Sequence, residues 1–265
     1  MLLLSGEFIL VAHRPASEVS GMIATVAPSV TLMRERRFFF LMAVAIFLTV
    51  LAGFGSQLVT RHVWFTDFPW QVHVHALVFS SWIVIYALQS WLVVDGRNLM
   101  LHRRLGWVGA GIAAVMVPLG ISATLMALAR GSITGVFPLG LFLALDVLHI
   151  IGFGALTFAA IRLRRQAGWH KRLMLCGTVL ATAPALSRLL SLLPLGNFTP
   201  LAVIGALSLF IAAGIAFDLA NWRRVHPAYW WGAGAIAVVE LLIVPIGFNP
   251  SVVAFATHLA GSPGT

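Results

Sequence analysis

Long apolar runs separated by short polar segments dominate this chain. Seven runs have the roughly 20 residues that a helix needs to cross a hydrocarbon core of about 30 Å. They cover residues 38–59, 70–94, 105–128, 137–161, 173–193, 201–221 and 229–248. Because lipid offers no hydrogen-bond partner to open backbone groups, each run is predicted to be helical. The pattern therefore predicts an all-α integral membrane protein, a bundle of seven transmembrane helices.

The basic residues between the runs predict the orientation of the bundle. Fourteen of the 17 Lys and Arg residues lie before helix one or in the loops that join helices two to three, four to five and six to seven. Cytoplasmic loops carry this kind of excess, so the amino terminus is predicted to be cytoplasmic. The same pattern divides the chain. Residues 1–32 are predicted to be a poorly structured or mis-assigned extension, 33–250 the transmembrane domain and 251–265 a short extracytoplasmic tail.

Composition supports the membrane class and argues against a nucleic-acid partner. Hydrophobic residues make up 60% of the 265 positions and charged residues only 9%, whereas soluble domains are about 25% charged. The formal net charge of +9 would suit nucleic-acid binding, but the basic residues sit in short clusters beside apolar runs. Since that placement is typical of membrane topology, the predicted partner is the lipid bilayer.

A basic string occurs twice, each time just ahead of an apolar run. The first copy covers His102 to Leu105 and the second His170 to Leu173, an offset of 68 residues. Each copy follows an apolar run that carries its own histidine, His75 before the first and His149 before the second. This repetition predicts that helices two and three are related to helices four and five by internal duplication.

The depths of the four histidines suggest two sites, one nearer each membrane face. His75 lies about 8 Å and His149 about 18 Å from the outer side along their helices. His102 and His170 are placed at the cytoplasmic starts of helices three and five. Two facing imidazoles can supply both axial ligands of a haem iron held between helices.

This histidine order resembles that of the transmembrane b-type cytochromes. In that family four consecutive helices each supply one histidine, and the first pairs with the third and the second with the fourth. The resemblance implies haem b as cofactor, with an outer haem on His75 and His149 and an inner haem on His102 and His170. It implies no metal besides the haem iron.

The basic residues of the repeated string have a second interpretation. Helix amino termini present free N–H groups, and arginine adds paired donors for phosphate or carboxylate. Arg103, Arg104, Lys171 and Arg172 are therefore candidates to contact anionic lipid headgroups at the cytoplasmic face, or a specific anionic ligand. Headgroup binding, haem ligation and binding of a specific anion all remain open from the sequence.

Charged side chains inside apolar runs are costly unless they are paired or functional. Asp146 lies three residues before His149 on the same helix face, where its carboxylate can orient the imidazole or accept its proton. Arg188 has a similar depth, which suits pairing with Asp146 or contact with a haem propionate. Glu240, near the middle of helix seven, is a candidate proton carrier without a visible partner. Gln89 on helix two is a further polar interior candidate.

Over residues 33–250 the chain is similar to a widespread bacterial family of seven-helix membrane proteins with no assigned function. The similarity is carried by Arg37 to Phe40, by His75 with Trp82 and Gln89, by both copies of the basic string, and by His226-Pro227. It implies a multi-pass protein of the bacterial inner membrane and supplies no activity.

Three functions are compatible with these residues. The first is a haem-b-binding, or otherwise histidine-dependent, electron-transfer protein. The second is a small-solute or proton-coupled transporter, and the third is a non-catalytic membrane component that packs against other proteins. The sequence contains no GxSxG, P-loop, HExxH or CxxC motif, so it assigns no enzymatic activity.

Overall fold

The computed structural model describes residues 30–61, 68–94, 98–132 and 138–261, and this part of the chain is all α-helical apart from turns. The helices are α1 Val30–Arg61, α2 Trp70–Leu92, α3 Leu99–Ala129, α4 Leu139–Arg162, α5 Ala167–Ala181, α6 Ala183–Leu190, α7 Thr199–Trp222, α8 Pro227–Gly247 and α9 Pro250–Gly261. A single 3₁₀ turn, Gly196–Phe198, precedes α7. The predicted all-α class is confirmed.

The lengths of the helices confirm the predicted set of membrane spans. Within the part of the chain that the structure describes, six helices are long and apolar enough to cross a bilayer. The pair α5 and α6 forms a seventh span if the two are counted together, bent by 46° at a short break. The sequence predicted this span as one helix, 173–193. The structure instead divides it into two helices of unequal length.

Three helices begin earlier than the apolar runs that predicted them. α1 begins at Val30, α3 at Leu99 and α5 at Ala167, each six to eight residues upstream of its predicted start. The flanking segments are basic. Long basic side chains can extend their charged ends into water while the backbone stays helical. His102 and His170 consequently lie within the first turn of their helices rather than ahead of them.

The described helices extend beyond the predicted bounds of the transmembrane domain at both ends. Residues 30–32, assigned to the amino-terminal extension, belong to α1, and residues 1–29 lie outside the described part. The stretch assigned to a tail contains α9, which packs against α3 and α4. Its Ala256 is fully buried there, so this segment is part of the bundle.

Helix α5 lies at the centre of the bundle. Helices α1, α2, α3, α4, α8 and α7 form a ring in that order, and α5 contacts α1, α4, α7 and α8. Its Leu175, Cys176, Val179 and Leu180 are fully buried. The outer surface of the ring is apolar and exposed, as at Trp231, 71% exposed, which suits contact with lipid rather than water.

The break between α5 and α6 has a local cause. Pro184 lies in the first turn of α6, where it has no backbone N–H and its ring would clash with the carbonyl of Leu180 in a continuous helix. The Thr182 hydroxyl at the break donates to the Val179 carbonyl at 2.5 Å. Gly53 of α1 packs directly on the backbone of Ala185, so α1 supports the displaced α6.

The bundle has two distinct ends. We call the end where α2, α4 and α7 finish and α3, α5 and α8 begin the basic end, because most Lys and Arg residues lie there, and the opposite one the far end. Tryptophans are exposed at the basic end, as is typical of anchors at a membrane interface, and Trp70 is exposed at the far end. Which end faces the cytoplasm stays a prediction.

Candidate functional site

Five ionisable side chains from four helices lie in the far half of the bundle. We call them the polar cluster: His75 of α2, Asp146 and His149 of α4, Arg188 of α6 and Glu240 of α8. His149 lies about 15 Å along α4 from its first residue, and Glu240 about 10 Å along α8 from its last. The cluster therefore lies deep within the apolar span, where ionisable groups are expensive to keep.

The clearest contact of the polar cluster joins α4 to α8. His149 Nε2 lies 2.9 Å from Glu240 Oε1, and the two side chains are only 6% and 12% exposed. The sequence suggested Asp146 as the orienting carboxylate for His149 and found no partner for Glu240. Ninety-one residues separate the bonded pair, so no local spacing could identify it. The sequence does show that His149 and Glu240 each lie near the middle of an apolar run, which is the only indication of the pair that it contains.

Asp146 faces a hydroxyl from α3 as well as its neighbours on α4 and α6. The Thr124 hydroxyl lies 3.4 Å from Asp146 Oδ2 and 3.0 Å from the Gly120 carbonyl, and its single proton serves one acceptor at a time. The carboxylate also interacts electrostatically with His149 and with Arg188. The direct pairing of Asp146 with Arg188 stays a prediction.

Arg188 is held by its own short helix and by α1. Its Nη1 donates to the Pro184 carbonyl at 2.8 Å, and its guanidinium carbon lies 4.5 Å from the centre of the Phe54 ring. A guanidinium at this distance is attracted to the negative face of the ring. Arg188 also interacts electrostatically with His75. The break before α6 thereby directs a permanent positive charge toward the polar cluster.

Both histidines of the polar cluster keep one buried nitrogen without a hydrogen bond to the described residues. These atoms are His75 Nδ1 and His149 Nδ1. The His75 ring is stacked on Phe79, with ring centres 4.1 Å apart, so it is held by packing instead. A buried polar atom without a partner costs about 1–3 kcal/mol. Both atoms belong to the polar cluster. Binding of a proton or a ligand there would supply their missing hydrogen bonds.

The second histidine pair lies at the basic end, and the two residues are held alike. His102 Nδ1 lies 3.3 Å from the Gln89 carbonyl, and His170 Nδ1 lies 2.9 Å from the Ala160 carbonyl. Each bond reaches the end of the preceding helix. Gln89 in turn donates its side-chain amide to the His102 carbonyl at 3.0 Å, so it fastens α2 to α3. His102 and His170 also interact electrostatically.

These contacts decide how well each pair suits a haem. A carbonyl acceptor requires a proton on Nδ1, which leaves Nε2 of His102 and His170 with the lone pair that an iron needs. Ligand histidines are commonly oriented by such bonds, so the inner pair fits the group. In the outer pair, His149 Nε2 is engaged by Glu240. An iron on Nε2 of His149 would have to displace Glu240, and the outer haem on His75 and His149 stays a prediction.

A network of four charged residues, which we call the ion-pair network, closes the basic end. Arg172 of α5 donates from Nη2 to Glu35 Oε1 at 2.9 Å and from Nε to Asp218 Oδ2 at 3.0 Å, with a further Nη2 contact to Asp218 Oδ1. Lys171 Nζ lies 2.6 Å from Glu35 Oε2. The backbone N–H of His226 also donates to Asp218. The network ties α5 to α1, to α7 and to the start of α8.

The network corrects one prediction made from the repeated string. Arg172 is only 2% exposed and its guanidinium is bound by two carboxylates, so it does not contact lipid headgroups. Lys171 is engaged by Glu35, whereas Arg103 and Arg104 of the first copy are exposed and remain headgroup candidates. The two copies of the string therefore have different roles. Sequence analysis missed Glu35 because it was placed ahead of helix one.

His226 lies outside the spans, between α7 and α8. Burial, followed by the positive charge of Arg172, lowers the pKa of His226 below its usual value. Its Nδ1 accepts the Ala228 backbone N–H at 3.1 Å, which requires that nitrogen to be unprotonated. The neutral imidazole therefore caps α8 next to the ion-pair network.

Comparisons of the chain with known proteins assign it no activity. No protein-family model matches it, and neither curated proteins nor solved structures show a significant match. Among the described residues no group of three or more His, Cys, Asp or Glu side chains is arranged to hold a metal ion. The family similarity and the site assignments made from the sequence stay predictions.

Proposed function

We propose that this protein is a proton-coupled carrier of a small solute across a membrane. The observation that carries the proposal is the buried contact of His149 with Glu240 in the far half of the span. Histidine and carboxylate side chains inside membranes are the groups that form proton relays in pumps and transporters. A structural role alone is served more cheaply by apolar packing, because burying an ion pair costs desolvation energy.

The broken central helix supports the presence of a solute site. In many carriers, solutes bind near the middle of the bilayer where a discontinuous helix exposes backbone groups and helix ends. Here α5 and α6 meet at a 46° bend in the middle of the ring, and α6 carries Arg188 toward the polar cluster. A proton site and a helix break thus lie side by side.

The experiment is proton movement in reconstituted vesicles. Protein in liposomes that enclose a pH-sensitive dye receives an inward proton gradient, with valinomycin and K⁺ to clamp the voltage. A mixture of amino acids, sugars and small organic acids is added outside. We expect acidification several times faster than in empty liposomes. The Glu240→Gln variant removes the titratable group while keeping an acceptor for His149, so its rate should fall about tenfold.

A matched control tests whether the effect belongs to the polar cluster. Ser208 is an exposed α7 residue whose hydroxyl bonds only within its own helix, to the Ile204 carbonyl. Ser208→Ala should transport like the wild-type protein. Equal proton flux in the wild-type protein, the Glu240→Gln variant and empty liposomes would overturn the proposal.

The inner histidine pair favours a second candidate function, electron transfer through haem b. His102 and His170 would hold the iron through Nε2, since each Nδ1 is bonded to a carbonyl. The group supplies one-electron redox chemistry when it is bound. The protein's part is to orient both imidazoles, with Gln89 fixing the α2–α3 hairpin around His102.

An absorption spectrum tests this second function. Protein purified from haem-replete cells should show a Soret band, with visible bands that sharpen on addition of dithionite. His102→Ala and His170→Ala should each abolish these bands, whereas His75→Ala should retain them. A colourless wild-type preparation would exclude the haem function and leave the carrier proposal untouched.

A further inference from the structure

The polar cluster contains nitrogen atoms that no hydrogen bond to the described residues uses, and these atoms indicate what the cluster can bind. Glu240 already accepts from His149, and Asp146 faces the Thr124 hydroxyl. The atoms without a bond to the described residues are imidazole nitrogens, His75 Nδ1 and His149 Nδ1. On protonation each becomes an N–H donor. The cluster therefore offers donors, and Arg188 adds a guanidinium.

The charges of the cluster indicate the charge of a ligand that those donors would bind. It contains two carboxylates, one guanidinium and two imidazoles, so it is electrically neutral when one imidazole is protonated. A second proton gives it a net charge of +1. Because uncompensated charge inside a membrane is unfavourable, that proton is best stabilised by an anion of charge −1 arriving with it.

The neighbours of the donors indicate the size and character of that anion. Phe54 lies under the Arg188 guanidinium and Phe79 against the His75 ring, so aromatic surface borders the donors. A planar carboxylate matches the parallel N–H groups of a guanidinium. A short apolar remainder matches the two phenyl rings.

We propose that the polar cluster binds a small monocarboxylate with a short apolar chain, together with one proton, between Arg188 and the His75 and His149 imidazoles. This inference rests on the proposed carrier function and names its solute class. Proton and anion enter as a neutral pair, so the net charge of the buried site stays at zero.

The helices that surround the cluster add few other titratable groups among the described residues. α3 contributes only the hydroxyl of Thr124, which does not ionise, and α9, which packs against α3 and α4, carries the exposed His258. His73 is exposed on α2 and bonded to the Phe68 carbonyl. A proton taken up with the anion is therefore assigned to the polar cluster itself.

The test is calorimetric binding to the full-length protein in detergent, with propionate as the probe. Titrations in buffers of different ionisation enthalpy give the number of protons taken up with each anion, and we expect about one at pH 7. Propionamide has the same shape without the charge and should not bind. Propionate binding without proton uptake, or equal binding of propionamide, would overturn the inference.

Variants place the binding at the cluster. Arg188→Gln should weaken propionate binding about tenfold or more, since it removes charge-assisted hydrogen bonds. Arg103→Gln, at an exposed position of the basic end, should change it less than about twofold. If Arg188→Gln does not fold, the comparison of propionate with propionamide on the wild-type protein still decides the matter.

The outcomes separate this inference from the carrier proposal. Proton flux in vesicles that depends on Glu240 but not on propionate would refute the monocarboxylate and leave the carrier function in place. Binding of ammonium or guanidinium ions in place of propionate would also refute it. The absence of both flux and binding would refute both proposals.

Discussion

The ion-pair network and the polar cluster place similar residues inside the same bundle, yet they are built differently. In the network, Arg172 bonds to both Glu35 and Asp218, and Lys171 adds a second contact to Glu35. In the polar cluster His149 and Glu240 form a close ion pair, and two buried imidazole nitrogens have no hydrogen bond to the described residues. A satisfied network resists change, whereas an incompletely satisfied one gains stability when something binds.

This contrast assigns different tasks to the two regions. The network fastens α5 to α1, α7 and α8, so it holds the basic end closed around the central helix. The cluster lies beside the α5–α6 break and contains the buried ionisable pair of His149 and Glu240. A carrier needs both properties, since one end must be closed while the site within is open to proton and solute.

The largest expected effect comes from removing the centre of the network. Arg172→Ala leaves the carboxylates of Glu35 and Asp218 buried, close together and without their shared cation. Breaking a buried ion pair in this way costs about 3–5 kcal/mol in the free energy of unfolding. Thermal or denaturant unfolding in detergent measures this loss.

Two further variants make that measurement specific. Arg104→Ala, at the matching position of the first copy of the string, should change stability by less than about 0.5 kcal/mol because the side chain is exposed. Combining Arg172→Met with Asp218→Asn keeps the Lys171–Glu35 pair, leaves no uncompensated charge in the network and should restore much of the stability. A small effect of Arg172→Ala alone would mean that the network does not hold α5.

The second largest effect on stability is expected at the α5–α6 break, beside the polar cluster. A methyl group on Gly53 would overlap the backbone of Ala185, so Gly53→Ala must displace α6 and should cost about 1–3 kcal/mol. Gly55, on the same helix, has open space at its Cβ position. Gly55→Ala should instead be neutral or stabilise by up to about 1 kcal/mol.

The same pair of variants reports on function. Because Gly53→Ala moves the helix that carries Arg188, it should also reduce proton flux in vesicles, whereas Gly55→Ala should not. Loss of stability without any loss of flux would show that the position of α6 is unimportant for the polar cluster.

The third effect separates stability from activity. Glu240→Gln keeps a carbonyl oxygen for the His149 N–H, so the free energy of unfolding should change by no more than about 1 kcal/mol. Proton flux should nevertheless fall about tenfold. Asp218→Asn in the network should show the reverse pattern, with a larger loss of stability. Equal behaviour of these two variants would remove the distinction between the regions.

The spans followed from the sequence because their signal is local. Apolar length and the placement of basic residues predicted seven spans, and the described helices agree with them. The pairing of charges did not follow. Glu35 bonds to a residue 137 positions away and Glu240 to one 91 positions away, and each contact depends on how distant helices pack. The identical-looking basic strings also hid the difference between a buried Arg172 and an exposed Arg104.

The smallest expected effect concerns pH at the edge of the network. The folded protein holds the pKa of His226 below its usual value, chiefly through burial and then through Arg172. As pH falls toward and below about 6.5, the unfolded chain binds a proton that the folded chain resists. The free energy of unfolding should therefore fall with decreasing pH over this range and level off above it.

A substitution isolates the contribution of His226. His226→Asn keeps a side-chain acceptor for the Ala228 N–H but cannot titrate, so the pH dependence of the melting temperature should become shallower below pH 6.5. His258→Asn, on the exposed surface of α9, should leave the slope as it is in the wild-type protein. An unchanged slope in His226→Asn would place the acid sensitivity elsewhere, with the histidines of the polar cluster as the next group to test. A shallower slope would show that the buried imidazole of His226 makes this edge of the network sensitive to acid.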